Sequence, residues 1–256
     1  MERERYPILE FDHSTEALIE PGQVIKPVEG MPERCVMCFF QDVFSKLVAD
    51  GQLSVIKRLN SEIGRNPVYR LEHQGVALAA VHPGVGAALA AAFLEEVIAL
   101  GCRKFIVCGG AGVLRREIVM GHLVIPSAAV RDEGASYHYL PPSREVAASP
   151  GAVAAIERAL RRREMPYTIG KTWTTDALYR ETRARIEARK AEGCLTVEME
   201  AAAFFAVAQF RGVTLGQILY GGDDLSGETW DNRGWFTAGS VREQLFWLAV
   251  DAALEL

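Results

Sequence analysis

Apolar residues in this chain fall into short blocks whose spacing switches between an unbroken run and a helical repeat. Cys35 to Phe40 is continuously apolar and reads as the first core strand, followed by a helix from Asp42 to Ala49. Leu53 to Leu59, Val68 to His73 and Val76 to His82 read as strands, the last two joined by Gln74-Gly75, a dipeptide suited to a hairpin turn. From Ala87 to Leu100 the pattern becomes helical and stops at Gly101, a natural residue just past a helix end. Phe105 to Cys108 is a short, fully apolar strand, and His122 to Val130 reads as another. Val153, Ile156 and Leu160 form one face of a helix running from Val153 to Arg163. Thr182 to Glu192 is a polar helix ending at Gly193, and Glu200 to Phe210 a more apolar one ending at Gly212. Val213 to Tyr220 reads as a strand and Ser240 to Leu254 as the last helix, with Val241, Leu245, Leu248 and Ala252 on one face. Strands alternating with helices predict a mostly parallel or mixed sheet covered on both sides. No repeat, low-complexity tract or linker interrupts the pattern. Residues 31–256 are therefore expected to form one domain, and residues 1–30, with Pro7, Pro21 and Pro27, an irregular arm.

Composition then narrows the classes of function. At 256 residues and 49% hydrophobic, the chain suits a single domain with a substantial core. A net charge of −5 argues against a general nucleic-acid binder or an anionic-membrane binder. The densest basic run, Arg161-Arg162-Arg163, closes a predicted helix and complements its C-terminal dipole. The longest helical apolar stretch, Ala87 to Leu100, contains Glu95 and Glu96 and is too short to span a bilayer. Met1-Glu2-Arg3-Glu4-Arg5 leads into no long apolar region, and the five cysteines are odd in number. A cytoplasmic protein with reduced thiols is expected. Cys35-x-x-Cys38 lies in a predicted strand, where an odd separation sends the two sulfurs to opposite faces. No second pair completes a zinc set, so no metal is expected.

Candidate chemistry concentrates at Thr196-Val197-Glu198-Met199-Glu200, where a short apolar segment passes into Ala201-Ala202-Ala203-Phe204-Phe205. Carboxylates in apolar surroundings need hydrogen-bond donors, because desolvating a charge is costly. A ribose 2′,3′-diol supplies two donors, and the methionine thioether a soft wall for the sugar ring. Acids favoured by the dipole at a helix start are the structural alternative. Gly109-Gly110-Ala111-Gly112 follows a predicted strand, either as a place where backbone N–H groups face an anion or sugar, or as a tight turn needing small residues. A dinucleotide fingerprint would need its third glycine where Arg115 stands. Asp223-Asp224 ends the apolar strand that contains Gln217 to Tyr220, although both are also good cap and turn residues.

In order and spacing, four segments together resemble the nucleoside phosphorylase family of the uridine phosphorylase and hexameric purine nucleoside phosphorylase type. These are Lys104 to Gly112, Gly170-Lys171-Thr172-Trp173-Thr174-Thr175-Asp176-Ala177-Leu178-Tyr179, the Glu-Met-Glu block, and Gln217 to Asp224. Ala128 to His138 resembles the uridine phosphorylase branch in particular. The resemblance implies a three-layer α/β/α fold with a central mixed sheet. It also implies cleavage of a nucleoside N-glycosidic bond with phosphate as co-substrate, no organic cofactor, and assembly as a dimer or hexamer. Trp230 to Phe236 and Phe246-Trp247 are the apolar stretches expected to contribute to such a subunit surface. Carried onto this sequence, the resemblance has Glu200, Met199 and Glu198 holding the ribose, and Gly109 and Gly110 as the floor under sugar and nucleophile. Trp173, beside Thr174, would stack on the base, and Val85 would sit in a pocket-lining loop after His82. Asp223 would be the general acid toward purine N7, with Asp224 a like charge beside it.

The sequence also departs from the family. Uridine phosphorylases read uracil with a glutamine and an arginine shortly after the Tyr179 position, where Thr182 and Ala184 stand here, with Arg183 and Arg185 adjacent. The family's Gly-Asp-Pro-x-x-Arg loop is replaced by Phe39-Phe40-Gln41-Asp42-Val43, its central-strand arginine by Val107, and the following serine or threonine by Gly110. Each lost arginine removes a charge-assisted, often bidentate contact to phosphate. Either Arg115, Arg116 or Arg131 supplies the charge, or water replaces phosphate as nucleophile. Phosphorolysis, hydrolysis by a nucleosidase on the same scaffold, and non-catalytic nucleoside binding or storage all remain open at this point.

Overall fold

Strands and helices alternate much as the hydrophobic pattern predicts, and the computed structural model describes residues 3–235 and 239–256. The strands are β1 (Arg34–Cys38), β2 (Leu53–Ser61), β3 (Gly64–His73), β4 (Val76–Val81), β5 (Lys104–Val113), β6 (Leu123–Asp132), β7 (Glu145–Ala147), β8 (Tyr167–Thr175), β9 (Cys194–Glu198) and β10 (Thr214–Asp224). The helices are α1 (Pro21–Val24), α2 (Gln41–Ala49), α3 (Ala87–Leu100), α4 (Pro150–Arg162), α5 (Arg183–Ala191), α6 (Ala201–Arg211) and α7 (Gly239–Leu254). All strands join one mixed sheet in the order β10-β6-β8-β9-β5-β1-β4-β3-β2, with β7 on β6. Because β10 pairs in parallel with β5 as well as antiparallel with β6, half of the sheet closes on itself, while β1, β4, β3 and β2 extend from it as an open wing. The hairpin between β3 and β4 turns at Gln74 and Gly75, whose φ values of 51° and 76° are both in the left-handed region of a tight two-residue turn.

Two apolar cores sandwich the sheet. One, under α3 and α6, holds Phe93, Leu94, Phe105, Phe204 and Phe205. The other, under α2, α4 and α7, holds Phe44, Leu47, Ile106, Ile156 and Phe246. Burying each such side chain contributes roughly 1.5–3 kcal/mol. Strand periodicity divides β1 between the two cores, Cys35 and Met37 facing one and Val36 and Cys38 the other, so the two cysteines do point to opposite sides. Phe246 is buried in the second core and is not part of an exposed subunit surface, and Phe236 lies outside the described residues.

Three sequence expectations change. The central strand β5 does not stop at Cys108 but continues through the glycines to Val113, so Gly109 to Gly112 are strand and not loop. Strand β8 was not apparent from the pattern because it buries threonines and Trp173 in place of an aliphatic run. The N-terminal arm carries a 3-10 turn at Pro7–Leu9 and the short helix α1, and its Ile25, Val28 and Met31 pack on the α3 core.

Candidate active site

A break in strand pairing creates the site. Along one edge of β5, pairing with β1 ends at Cys108 and pairing with β9 begins at Gly112, while β10 pairs continuously along the other edge as far as Ala111. Gly109 to Ala111 therefore present one backbone edge without a neighbouring strand. Beside this gap, the C-terminal ends of β9 and β10 border a cavity of about 470 Å³ whose walls include Gly110, Met199, Tyr220, Asp223, Trp230 and Trp235. Gly110 is held to glycine by close approach, since a Cβ there would lie 3.0 Å from the Tyr220 ring.

The junction between β9 and α6 explains the Glu-Met-Glu block. A helix start leaves backbone N–H groups without acceptors. The Glu198 carboxylate supplies them, Oε2 accepting from the N–H of Glu200 at 2.8 Å and of Ala201 at 2.6 Å. Its Oε1 accepts from the Thr174 hydroxyl at 2.6 Å, and Thr174 Oγ1 in turn accepts from the Ala202 N–H at 2.9 Å. Glu198 and Thr174 thus serve the helix terminus: although Glu198 borders the cavity, its oxygens are committed to the fold. Glu200 stands at the helix cap, 5% exposed, with Oε1 accepting from the Gly86 N–H at 2.6 Å. Burial pushes both carboxyls above the usual range, and the Glu198 charge pushes Glu200 further. The amide N–H groups of Gly86 and Met199 only partly offset this at Glu200. A ligand offering two hydroxyl donors would relieve what burial costs Glu200.

At the other wall, the segment after β10 folds back over the end of that strand. Asp224 and Asp231 form a backbone bridge, and Arg233 pairs with the Asp224 carboxylate. Burial raises Asp224, but hydrogen bonds from Ser226 and the Arg233 charge outweigh it and leave the carboxyl below its ordinary value. Asp224 is thus held as an ion pair with Arg233. Asp223 faces the cavity and accepts a 2.7 Å hydrogen bond from the Trp230 indole N–H. The like charge opposite Asp223 is Glu181, which lines the same cavity. Burial, and then the Asp223 charge, push Glu181 up to about 7. Sequence reasoning passed over Glu181 because an acid just ahead of a polar helix, with Arg185 four residues on, has the pattern of a surface pair.

Other expected site residues sit elsewhere. Trp173 is 0% exposed, packed among Leu114, Val130 and Val197, with its indole N–H donated to Asp132 at 3.0 Å, so neither ring face is open to a base. The aromatic walls of the cavity come instead from Tyr220, Trp230, Trp235 and the 91% exposed Tyr179. A Cβ at Gly109 would meet Phe39 at 2.9 Å, so this glycine touches the core and not the cavity. Val85 is exposed and borders a separate hollow with Asn66 and His82, next to the Gly86 that holds Glu200. Val107 is buried in the core and Phe40 nearly so.

The arginines near the site in sequence are mostly spent. Arg131 donates to Ser136, Ser143 and the carbonyls of Leu140 and Pro141, and Arg115 donates to the Lys190 carbonyl. Among the described residues, no lysine or arginine lines the cavity, which carries three carboxyls. A larger hollow of about 740 Å³ lies between Arg34, Arg162, Arg163 and Asp251, but its charges pair with one another, Arg162 with Glu255 and Arg163 with Asp251. Its carboxyls are ion-paired, whereas those of the smaller cavity face no lysine or arginine among the described residues. Among the described residues, no group of three or more His, Cys, Asp or Glu could hold a metal ion, and no helix is long and apolar enough to cross a membrane.

Residues 33–244 match the family model of the phosphorylase superfamily, and the chain belongs to that family. Its similarity to nucleoside phosphorylases is seen in both sequence and structure. A guanosine phosphorylase of Halorubrum lacusprofundi is 28% identical over 208 residues, which span 78% of this chain and 79% of that protein. The crystal structure of a uridine phosphorylase from Vibrio fischeri aligns over 91% of this chain and 97% of its own, with a TM-score of 0.74 and 21% identity. An AMP nucleosidase from Bacteroides thetaiotaomicron shares the fold over 87% of each chain, with a TM-score of 0.70 and 20% identity.

Proposed function

We propose that this protein cleaves the N-glycosidic bond of a purine nucleoside by phosphorolysis, releasing the free base and ribose 1-phosphate. The observation that carries the reading is the juxtaposition at one cavity. The β9–α6 junction sets Met199 in its wall with the buried Glu200 carboxylate next in sequence, and Asp223 stands at the end of β10. Glu200 accepts the ribose 2′- and 3′-hydroxyls, and Met199 packs on the sugar. As the C1′–N bond breaks, its electron pair moves into the base, and a carboxyl at Asp223 relieves that charge by protonating a ring nitrogen. The uncovered backbone of Gly110 is where a nucleophile would approach C1′ from the opposite side.

A purine is favoured over uracil because Asp223 is present and the uracil-reading positions hold Thr182 and Ala184. The relative named guanosine phosphorylase is consistent with that choice. Self-association into at least a dimer is part of the proposal.

A second reading, hydrolysis, is supported by one observation: among the described residues, no lysine or arginine lines the cavity to hold an anion. A panel of guanosine, inosine, adenosine and uridine, assayed for base release with and without phosphate, separates the readings. Phosphorolysis predicts release of purine base that rises with phosphate and saturates only at high millimolar levels. Equal rates in phosphate-free buffer would establish the nucleosidase, and the absence of any release would leave a binding protein.

A further inference from the structure

Besides Glu198, whose oxygens serve the α6 terminus, two further carboxyls, Glu181 and Asp223, line the cavity, and its remaining walls are largely apolar and aromatic. They are not held alike. Asp223 is fixed by the Trp230 indole, whereas the Glu181 carboxylate makes no hydrogen bond among the described residues. Glu181 follows the short 3-10 turn Leu178–Arg180, whose Leu178 and Tyr179 are also in the cavity wall, so the acid stands half-buried at the cavity edge. We propose that Glu181 is a second working carboxyl of this site, holding a proton beside the Asp223 carboxylate and delivering it to the departing base, so that Asp223 does not serve the acid step alone.

Among the surrounding charged groups, Asp223 is the one whose charge acts on Glu181. Across the cavity lies Glu198, committed to the α6 terminus. In the adjoining groove that Glu181 also borders lie Arg183, donating to the Gly227 carbonyl, and Glu228. Asp224, next to Asp223, is neutralised by Arg233. A partly buried carboxyl that faces a second negative charge is harder to ionise than one in water. Burial and the Asp223 charge act on Glu181 in that direction. In the reaction, the carboxyl O–H bond breaks as a ring N–H bond forms, the glycosidic electron pair remains on the base, and solvent returns a proton to Glu181 after release. The inference rests on the proposed cleavage of nucleosides, and its test separates the two.

The experiment compares guanosine with 7-methylguanosine, whose cationic base leaves without needing a proton. Glu181→Gln should lower kcat/KM for guanosine about a hundredfold, and the loss should exceed that for 7-methylguanosine by at least about thirtyfold. The variant should also lose the fall in guanosine kcat/KM above neutral pH. An independent readout is the emission of Trp230, which donates to Asp223. Its titration in the wild type should inflect near pH 7, and in Glu181→Gln that inflection should vanish. Equal losses on the two substrates, or an inflection unchanged by the substitution, would overturn the proposal. If neither nucleoside is cleaved, the functional reading and proton delivery both fall, while the fluorescence titration still decides whether Glu181 holds a proton beside Asp223.

Discussion

Removing the Glu198 carboxylate should damage the fold more than the recognition of substrate. Its two oxygens accept three hydrogen bonds, from the Thr174 hydroxyl and from the amides of Glu200 and Ala201, at 2.6–2.8 Å. In Glu198→Ala the two amides at the start of α6 lose their acceptor inside a buried junction, at about 1–3 kcal/mol each. Release of a desolvated acid that sits close to Glu200 offsets part of that loss, and water entering the space offsets more. The net expectation is about 3 kcal/mol of destabilisation. For a chain of this size that lowers Tm by roughly 6–12 °C. Glu198→Gln keeps an oxygen for the amides and should lose about 1 kcal/mol or less. Thermal and urea unfolding measure the loss directly, and KM for a cleaved nucleoside, taken well below Tm, should change less than threefold in Glu198→Gln. A Glu198→Ala protein that melts within about 2 °C of wild type but has lost nucleoside affinity would refute this reasoning and return Glu198 to the ribose site.

Glu200 should respond in the opposite sense. Glu200→Gln should remain folded but lose about 2–4 kcal/mol of nucleoside binding, read as KM or by calorimetry. Because a diol that donates two hydrogen bonds prefers the ionised form of a carboxyl whose proton is held up to about 8, wild-type affinity should rise as pH increases from 6 to 8 and then level, and Glu200→Gln should abolish that rise. Trp173→Ala should destabilise the core by about 3–5 kcal/mol without altering the preference among bases, checked by unfolding and by the ratio of kcat/KM values at a permissive temperature. Trp230→Phe, by contrast, should leave stability nearly unchanged and weaken binding of the base.

The sequence was most legible where one local rule decided the outcome. Helix α3 and the β3–β4 hairpin came from apolar periodicity and a Gln-Gly turn, and the structure keeps both at nearly the expected residues. The Glu-Met-Glu block stood out because acids in an apolar setting demand donors. Which donors they have is a tertiary fact: Thr174 reaches Glu198 from β8 and Gly86 reaches Glu200 from the start of α3, and neither is encoded near position 200. Trp173 failed as a base-stacking residue for the same reason. A tryptophan flanked by threonines on a strand is compatible with cavity or core, and the packing of Leu114 and Val197 against it places it in the core. Glu181 was invisible because its partner Asp223 lies on a strand far along the chain, and only the fold brings both acids to one cavity. Likewise, reading Arg131 as a phosphate anchor required knowing that its donors were free, and the 140–143 loop takes them.

The most direct test of the proposed chemistry is the identity of the sugar product from guanosine turned over in the presence of saturating phosphate. Phosphorus NMR of the reaction mixture should show ribose 1-phosphate accumulating in step with guanine, one for one. Guanine released together with free ribose and no sugar phosphate would contradict phosphorolysis and assign the cavity to a hydrolase.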